Sequence, residues 1–199
     1  VNGNLKVLRR KGKTHGTKEA SGKYSKGKSI RRRDKSVYSR AEAGHWEADS
    51  VVSGLGKSKA CFATFAERKT RYYIAVKMPD RTAATMERTI EAVLSAFPPE
   101  LVKTITCDRG TEFANWRSIE QTLGCDVYFA DPYCAWQKGT NENLNGLLRE
   151  FYPKGRNLSR VSPATLKRNL ALLNARPRKV LSFCSPQSLW ERELLKCCT

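Results

Sequence analysis

Three strand-like runs follow one another with no helix between them, and after them helices and strands alternate. Few folds accept that order. The runs are residues 45–53, which leads into the turn Gly54-Leu55-Gly56, and residues 60–66 and 71–77, which are rich in Phe, Tyr, Val and Ile. A helix over about 82–97 comes next: Met86, Ile90, Val93, Leu94 and Phe97 recur at helical spacing, and Pro98-Pro99 stops it. A strand at 102–107, a helix around 118–123, a short strand at 126–130 and a helix from near 139 to about 151 complete the alternation. Two further helices, 163–174 and 185–196, follow. Strands joined by short turns pair antiparallel, whereas strands joined through helices lie parallel. The expectation is an α/β fold on a mixed five-stranded sheet, three antiparallel strands and then two parallel ones, flanked by helices.

At 199 residues and 40% apolar content, the chain has material for one domain plus an extension. Lys and Arg number 37 against 19 acids, a net charge of +18. Residues 1–40 carry 14 of those cations and 2 of the acids, so much of the excess sits in a leading arm. Runs such as Arg9-Arg10-Lys11-Gly12-Lys13 and Arg31-Arg32-Arg33 resist folding alone. They suit a polyanion, whose phosphates they neutralise with release of counterions. No amphipathic helix accompanies the charge and no apolar stretch is long enough to span a bilayer, which argues against a membrane partner. The seven cysteines form no Cys-x-x-Cys pair and only His15 and His45 could join them, which argues against structural zinc. Scattered thiols of this kind read as reduced, in a cytoplasmic protein.

Three acids stand in unusual company. Asp49 lies inside the first strand run, between Trp46 and Val51-Val52, where a charge needs a partner. Asp108 ends the run Ile105-Thr106-Cys107, and 33 residues separate it from Glu142, which opens a helical pattern. In that helix Leu144, Leu147, Leu148 and Phe151 form one stripe, while Glu142, Asn145 and Arg149 fall on another. Three carboxylates suit two Mg²⁺ ions roughly 3.5–4 Å apart, an arrangement that activates a water or 3′-hydroxyl and stabilises a leaving 3′-oxygen. Each acid also has an ordinary use. Glu142 favours a helix dipole, Asp108 before Arg109-Gly110 starts a turn, and Glu47, Glu112, Asp126 and Asp131 are rival candidates. Spacing alone leaves the choice open.

The blocks around these acids narrow it. Gly44-His45-Trp46-Glu47-Ala48-Asp49, Cys107-Asp108-Arg109-Gly110-Thr111-Glu112-Phe113-Ala114 and Val127-Tyr128-Phe129-Ala130-Asp131-Pro132-Tyr133 resemble bacterial insertion-sequence transposases of the DDE type. So do Trp136-Gln137-Lys138-Gly139-Thr140-Asn141-Glu142-Asn143 and Asn145-Gly146-Leu147-Leu148-Arg149, the branch being the insertion-sequence family numbered thirty. The resemblance runs from about Gly44 to Trp190, with Ala48 where the family usually has Gly and Arg109 where it has Asn. It implies a ribonuclease H-like, retroviral-integrase-like core in which Asp49, Asp108 and Glu142 are the catalytic, metal-binding triad. It also implies helix-turn-helix regions ahead of the core, so the start at Val1 reads as internal.

The organisation expected is a basic, poorly ordered DNA-contacting arm at 1–40, the catalytic core at 41–155 and a helical extension at 156–199. The activity expected is Mg²⁺-dependent cleavage at transposon ends and 3′-hydroxyl strand transfer into target DNA, with Mn²⁺ as a substitute ion. DNA, as terminal inverted repeats and target, is the expected partner, in a homodimer or higher synaptic complex at the bacterial nucleoid. Lys138, Asn141, Asn145, Arg149, Arg109, Arg176, Arg178 and Lys179 are the DNA-binding candidates, with Asn141 and Asn145 also able to order the site, and Tyr133 and Trp136 able to stack on an unpaired base. A retroelement-type integrase or nuclease of the same fold, or a catalytically decayed DNA-binding regulator of a mobile element, are the alternatives.

Overall fold

The computed structural model of the chain describes residues 27–132 and 134–197. Six strands, β1 (Lys28–Ser29), β2 (His45–Val52), β3 (Cys61–Glu67), β4 (Tyr73–Met78), β5 (Thr104–Cys107) and β6 (Asp126–Phe129), form one sheet in the order β1-β6-β5-β2-β3-β4. β2, β3 and β4 are the antiparallel meander, and β5, β6 and β1 add in parallel on the other side of β2. The mixed sheet matches expectation and the count of five does not. The extra strand comes from the basic segment, because Lys28 finds counter-charges on the body: Asp126 at 2.5 Å and Glu120 at 2.9 Å. Arg31 pairs with Asp131 at 3.0 Å, and Ile30 and Arg33 are buried between them and the sheet. Arg9–Lys13 and the rest of residues 1–26 lie outside the described residues.

The helices are α1 (Ser36–Ser39), α2 (Ala83–Leu94), α3 (Trp116–Leu123), α4 (Gly139–Phe151), α5 (Pro163–Ala175) and α6 (Pro186–Lys196). Thr82, Ser162 and Ser185 cap α2, α5 and α6 by accepting a backbone N–H three residues on, and Pro163 and Pro186 occupy first-turn positions where no N–H is missed. α2 stops at Leu94, three residues short of expectation, and Phe97 turns in to stack on Trp46 at 5.7 Å between ring centroids. Among the described residues no helix is long and apolar enough to cross a membrane.

Strand alternation divides the sheet into two faces. Trp46, Ala48, Cys61, Ala63, Phe65, Ile105, Cys107, Val127 and Phe129 point to one core with Met86, Ile90 and Leu94 of α2, Ile119 of α3 and Trp190 of α6. Val51, Phe62, Ala66, Tyr73 and Ala75 point to the other, against Leu144 and Leu148 of α4 and Leu166 and Leu173 of α5. On this second face, the odd positions of β2 place Glu47 and Asp49 beside the apolar Val51.

Candidate active site

Register brings the acids level. β2 and β5 pair in parallel from His45 opposite Thr104 to Glu47 opposite Thr106, and Asp49 and Asp108 each lie two residues beyond that last pair. Both then project from the α4 face, at the carboxyl end of β5, where open α/β sheets hold their ligands. Their side chains converge on Lys138, which precedes α4: its Nζ lies 3.5 Å from Asp49 Oδ1, 3.3 Å from Asp108 Oδ2 and 3.4 Å from the Ala48 carbonyl oxygen. The ammonium is the most enclosed of the three, its side chain 10% exposed against 25% for Asp49 and 48% for Asp108. Burial pushes the Asp49 carboxyl upward, the Lys138 charge pulls it back and Asp108 adds to the rise. Burial works against the Lys138 ammonium, but Asp49 and Asp108 together hold it above the ordinary lysine value. Two carboxylates have thus been arranged around one positive centre.

Glu142 is exposed on the first turn of α4. Among the described residues no three His, Cys, Asp or Glu side chains form a group able to hold one ion. The structure brings Asp49 and Asp108 together and leaves Glu142 outside their contact. The turn after Asp108 is tight: Gly110 donates its N–H to Asp108 Oδ1 at 2.9 Å, and a Cβ there would collide with Glu112 Oε2. Glu112 accepts the Ser50 hydroxyl at 2.9 Å, which ties that turn to β2.

A polar network fixes Asp49 and the start of α4. Tyr73 donates its hydroxyl to Asn145 Oδ1 at 2.6 Å, and Asn145 Nδ2 donates to Asp49 Oδ2 at 3.0 Å. Complete burial drives the Tyr73 phenol far above its usual range, so it stays a donor. α4 has no side-chain N-cap of its own. Instead the buried Glu47 carboxylate accepts the Asn141 N–H at 2.8 Å and pairs with buried Arg68. Asn141, a DNA-contacting candidate in the sequence, is completely buried, its amide donating to Glu47 O at 2.8 Å and Thr64 O at 3.3 Å while its Oδ1 accepts the Thr64 hydroxyl at 3.2 Å. This corrects that expectation: with every polar atom engaged below the surface, Asn141 is a staple between α4, β2 and β3. Arg68, Thr64 and Tyr73 carry no signal in the sequence, since only the pairing of Asp49 with Thr64 across β2 and β3 brings them in.

The other candidates scatter. Arg149, half-buried, donates to the Val52 carbonyl at 3.2 Å. Arg109 sits where its charge helps hold the Asp131 carboxyl low, behind the larger influence of Arg31. Trp136 is 73% exposed beside Lys138, while Tyr133 lies outside the described residues. Arg176, Arg178 and Lys179 follow α5, and the first two face α4 from the flank opposite Asp49.

Residues 39–135 match the integrase core domain family, and that span contains Asp49 and Asp108. Over 196 residues the chain is 37% identical to the transposase InsI for insertion sequence element IS30A of Escherichia coli strain K12, covering 95% of this chain and 50% of the relative. Over 175 residues it is 38% identical to a probable transposase for insertion-like sequence element IS1161 of Streptococcus salivarius, covering 88% and 49%. Over residues 39–135, just under half of its length, this chain is similar to the integrase core domain. The resemblance read from its sequence blocks, to insertion-sequence transposases numbered thirty, is shown by these relatives, and the chain spans about half the length of the curated relatives it matches. The catalytic core domain of BIV integrase has a similar fold, with a TM-score of 0.60 at 17% identity over 79% of this chain and 99% of that one.

Proposed function

We propose that this integrase core is the catalytic part of a DDE transposase, which hydrolyses DNA at element ends and joins the freed 3′-hydroxyl to target DNA. The observation that carries the reading is the convergence of Asp49 and Asp108 on one positive centre, with Glu142 on the adjoining first turn of α4. Hard carboxylate oxygens already gathered around a cation fit Mg²⁺ or Mn²⁺, so Asp49 and Asp108, joined by Glu142, are the residues that would hold the ions. Divalent ions bound there supply Lewis-acid stabilisation to the attacking and leaving oxygens. Hydrolysis and joining are both in-line displacements at phosphorus, so one site serves both. Asn145 and Tyr73 orient Asp49, Glu47 and Asn141 fix the helix that bears Glu142, and Lys138 keeps the two strand acids together while adding positive charge for phosphate. DNA is the partner, and joining two ends implies a dimer or higher assembly, working in the bacterial cytoplasm on nucleoid DNA.

The test is strand transfer on a branched oligonucleotide with Mg²⁺, comparing wild type with Asp49→Asn and Asp108→Asn. Each variant is expected to lose at least about 100-fold in rate. Equal rates would remove these acids from the mechanism, and cleavage without joining would make the protein a nuclease.

A further inference from the structure

α4 has a second polar flank that the acids do not use. Thr140, Asn143, Leu147 and Glu150 line one wall of a cleft of about 570 Å³, and Arg40, Arg71, Arg176 and Arg178 supply the facing charge. These α4 positions fall on a different stripe from Glu142, Asn145 and Arg149, so a ligand in the cleft is separated from the acids by a helix about 10–12 Å across. The four guanidiniums come from separate places in the sequence: the turn after α1, the β3–β4 turn and the segment after α5. Nothing in their spacing predicts that they meet.

Little answers their charge: Glu47 acts on Arg40, but behind burial and the opposing Arg68 charge. Among the described residues none of the four forms an ion pair; the Arg71 guanidinium donates to the Thr140 hydroxyl at 2.8 Å and that of Arg178 to the Leu173 carbonyl at 3.2 Å. Arg178 Nε is buried with no partner, and Glu150 is the one acid on the cleft wall. Burial and the neighbouring Arg176 charge both weigh against the Arg178 guanidinium. Arg40 and Arg71 reach the cleft from left-handed backbone, with φ of 58° and 62°, a conformation disfavoured for residues with side chains. By contrast Lys28, Arg31 and Arg68 each have a carboxylate partner. A group of like charges held together with so little counter-charge calls for an anion from outside, and the planar fork of arginine matches phosphate oxygens.

We propose that this cleft binds the phosphodiester backbone of DNA at a second point, across α4 from the acids, through Arg40, Arg71, Arg176 and Arg178. The cleft is in the size range of pockets that enclose ligands far larger than one phosphate, about 300–1,000 Å³, which favours a strand over a free inorganic anion. The proposal rests on the reading of the chain as a DNA-processing core. It adds a strand held away from the reacting phosphorus.

The experiment measures duplex DNA binding by fluorescence anisotropy across a salt series, in EDTA, so that neither metal nor chemistry enters. The variants are Arg176→Gln with Arg178→Gln, the exposed Arg176→Gln alone as a guard against misfolding, and a control pair, Arg160→Gln with Arg168→Gln, that removes equal charge elsewhere. The double variant is expected to bind about tenfold more weakly, and its slope of log K against log salt to shrink by roughly 2, or about 0.9 for Arg176 alone. The control pair is expected to change the slope much less. If the cleft variants keep the wild-type slope, or match the control pair, DNA does not occupy the cleft. Stabilisation of wild type by inorganic phosphate in thermal unfolding, with DNA affinity unchanged in the variants, would make it a free-anion site and overturn the proposal. Because wild-type binding and Mg²⁺-dependent strand transfer are measured separately, failure here leaves the proposed catalytic function standing, whereas a wild type that binds no DNA defeats both.

Discussion

The two faces of the sheet are made from alternate residues of the same strands, and they differ in what they bury. Toward α2, α3 and α6 the strands present an apolar layer sealed by Trp46, which meets Phe97 and Trp190 and donates its indole N–H to the Leu101 carbonyl at 2.8 Å. Toward α4 and α5 the apolar layer is broken by Glu47, Asp49 and Thr64, each held by a partner on α4 or beside it. One face therefore supplies stability with little chemistry, and the other gives up apolar contact to place charge at a strand end. Substitutions on the first face should move unfolding, and substitutions on the second should move metal binding and turnover.

The largest effect expected is from Trp46→Ala, which should lower unfolding stability by about 3–5 kcal/mol in denaturant titration, because the ring leaves a cavity among aromatic neighbours. If strand transfer measured well below the unfolding midpoint falls with it, the division between faces breaks. Lys138→Met tests the opposite face. Without the ammonium, Asp49 and Asp108 lie uncompensated, so the variant should melt lower than wild type and be stabilised more by added Mg²⁺, seen as a larger thermal shift. An identical shift in both proteins would mean that the ammonium and the ion do not share the acids. Asn145→Ala should cost roughly 10-fold in turnover or Mn²⁺ affinity with little change in fold, as expected when the group orienting a ligand is lost. A change in stability alone would make Asn145 structural.

The smallest effect concerns pH. Burial lowers the His45 pKa below its usual 6.5, against the pull of Glu42, so native His45 resists a proton that the unfolded chain accepts. The unfolded state then binds more protons, and stability falls as pH drops below about 6.5 toward the native value. Comparing wild type with His45→Gln from pH 7 to 5 should show that this loss is reduced in the variant. An unchanged slope would mean that His45 titrates normally.

Much of this arrangement is legible in the order and spacing of the residues. Alternation and helical spacing locate ten of the principal elements within a few residues, because helices bury one regular face, strands are rich in β-branched and aromatic residues, and proline or glycine marks several of the ends. Asp49 stands out because a charge inside an apolar strand run has to be explained, whereas Asp108 stands out only through the sequence block around it. What stays hidden depends on register or on distant charge. The strand at Lys28–Ser29 reads as part of a basic arm because its counter-charges, Glu120 and Asp126, are remote in sequence. Asn141 reads as a surface residue of a helix start, and only the pairing of β2 with β3 shows it enclosed by Glu47 and Thr64. Arg40 and Arg71 carry no signal at all until the fold sets them against Arg176 and Arg178.

The central claim is the proposal that the strand acids, joined by the acid opening α4, hold the divalent ions. Mn²⁺ binding to the protein without DNA, followed by calorimetry for wild type, Asp108→Asn and Glu142→Gln, tests it directly. A single class of sites whose affinity falls more than about tenfold in each variant is the predicted result. Isotherms indistinguishable from wild type would contradict the claim.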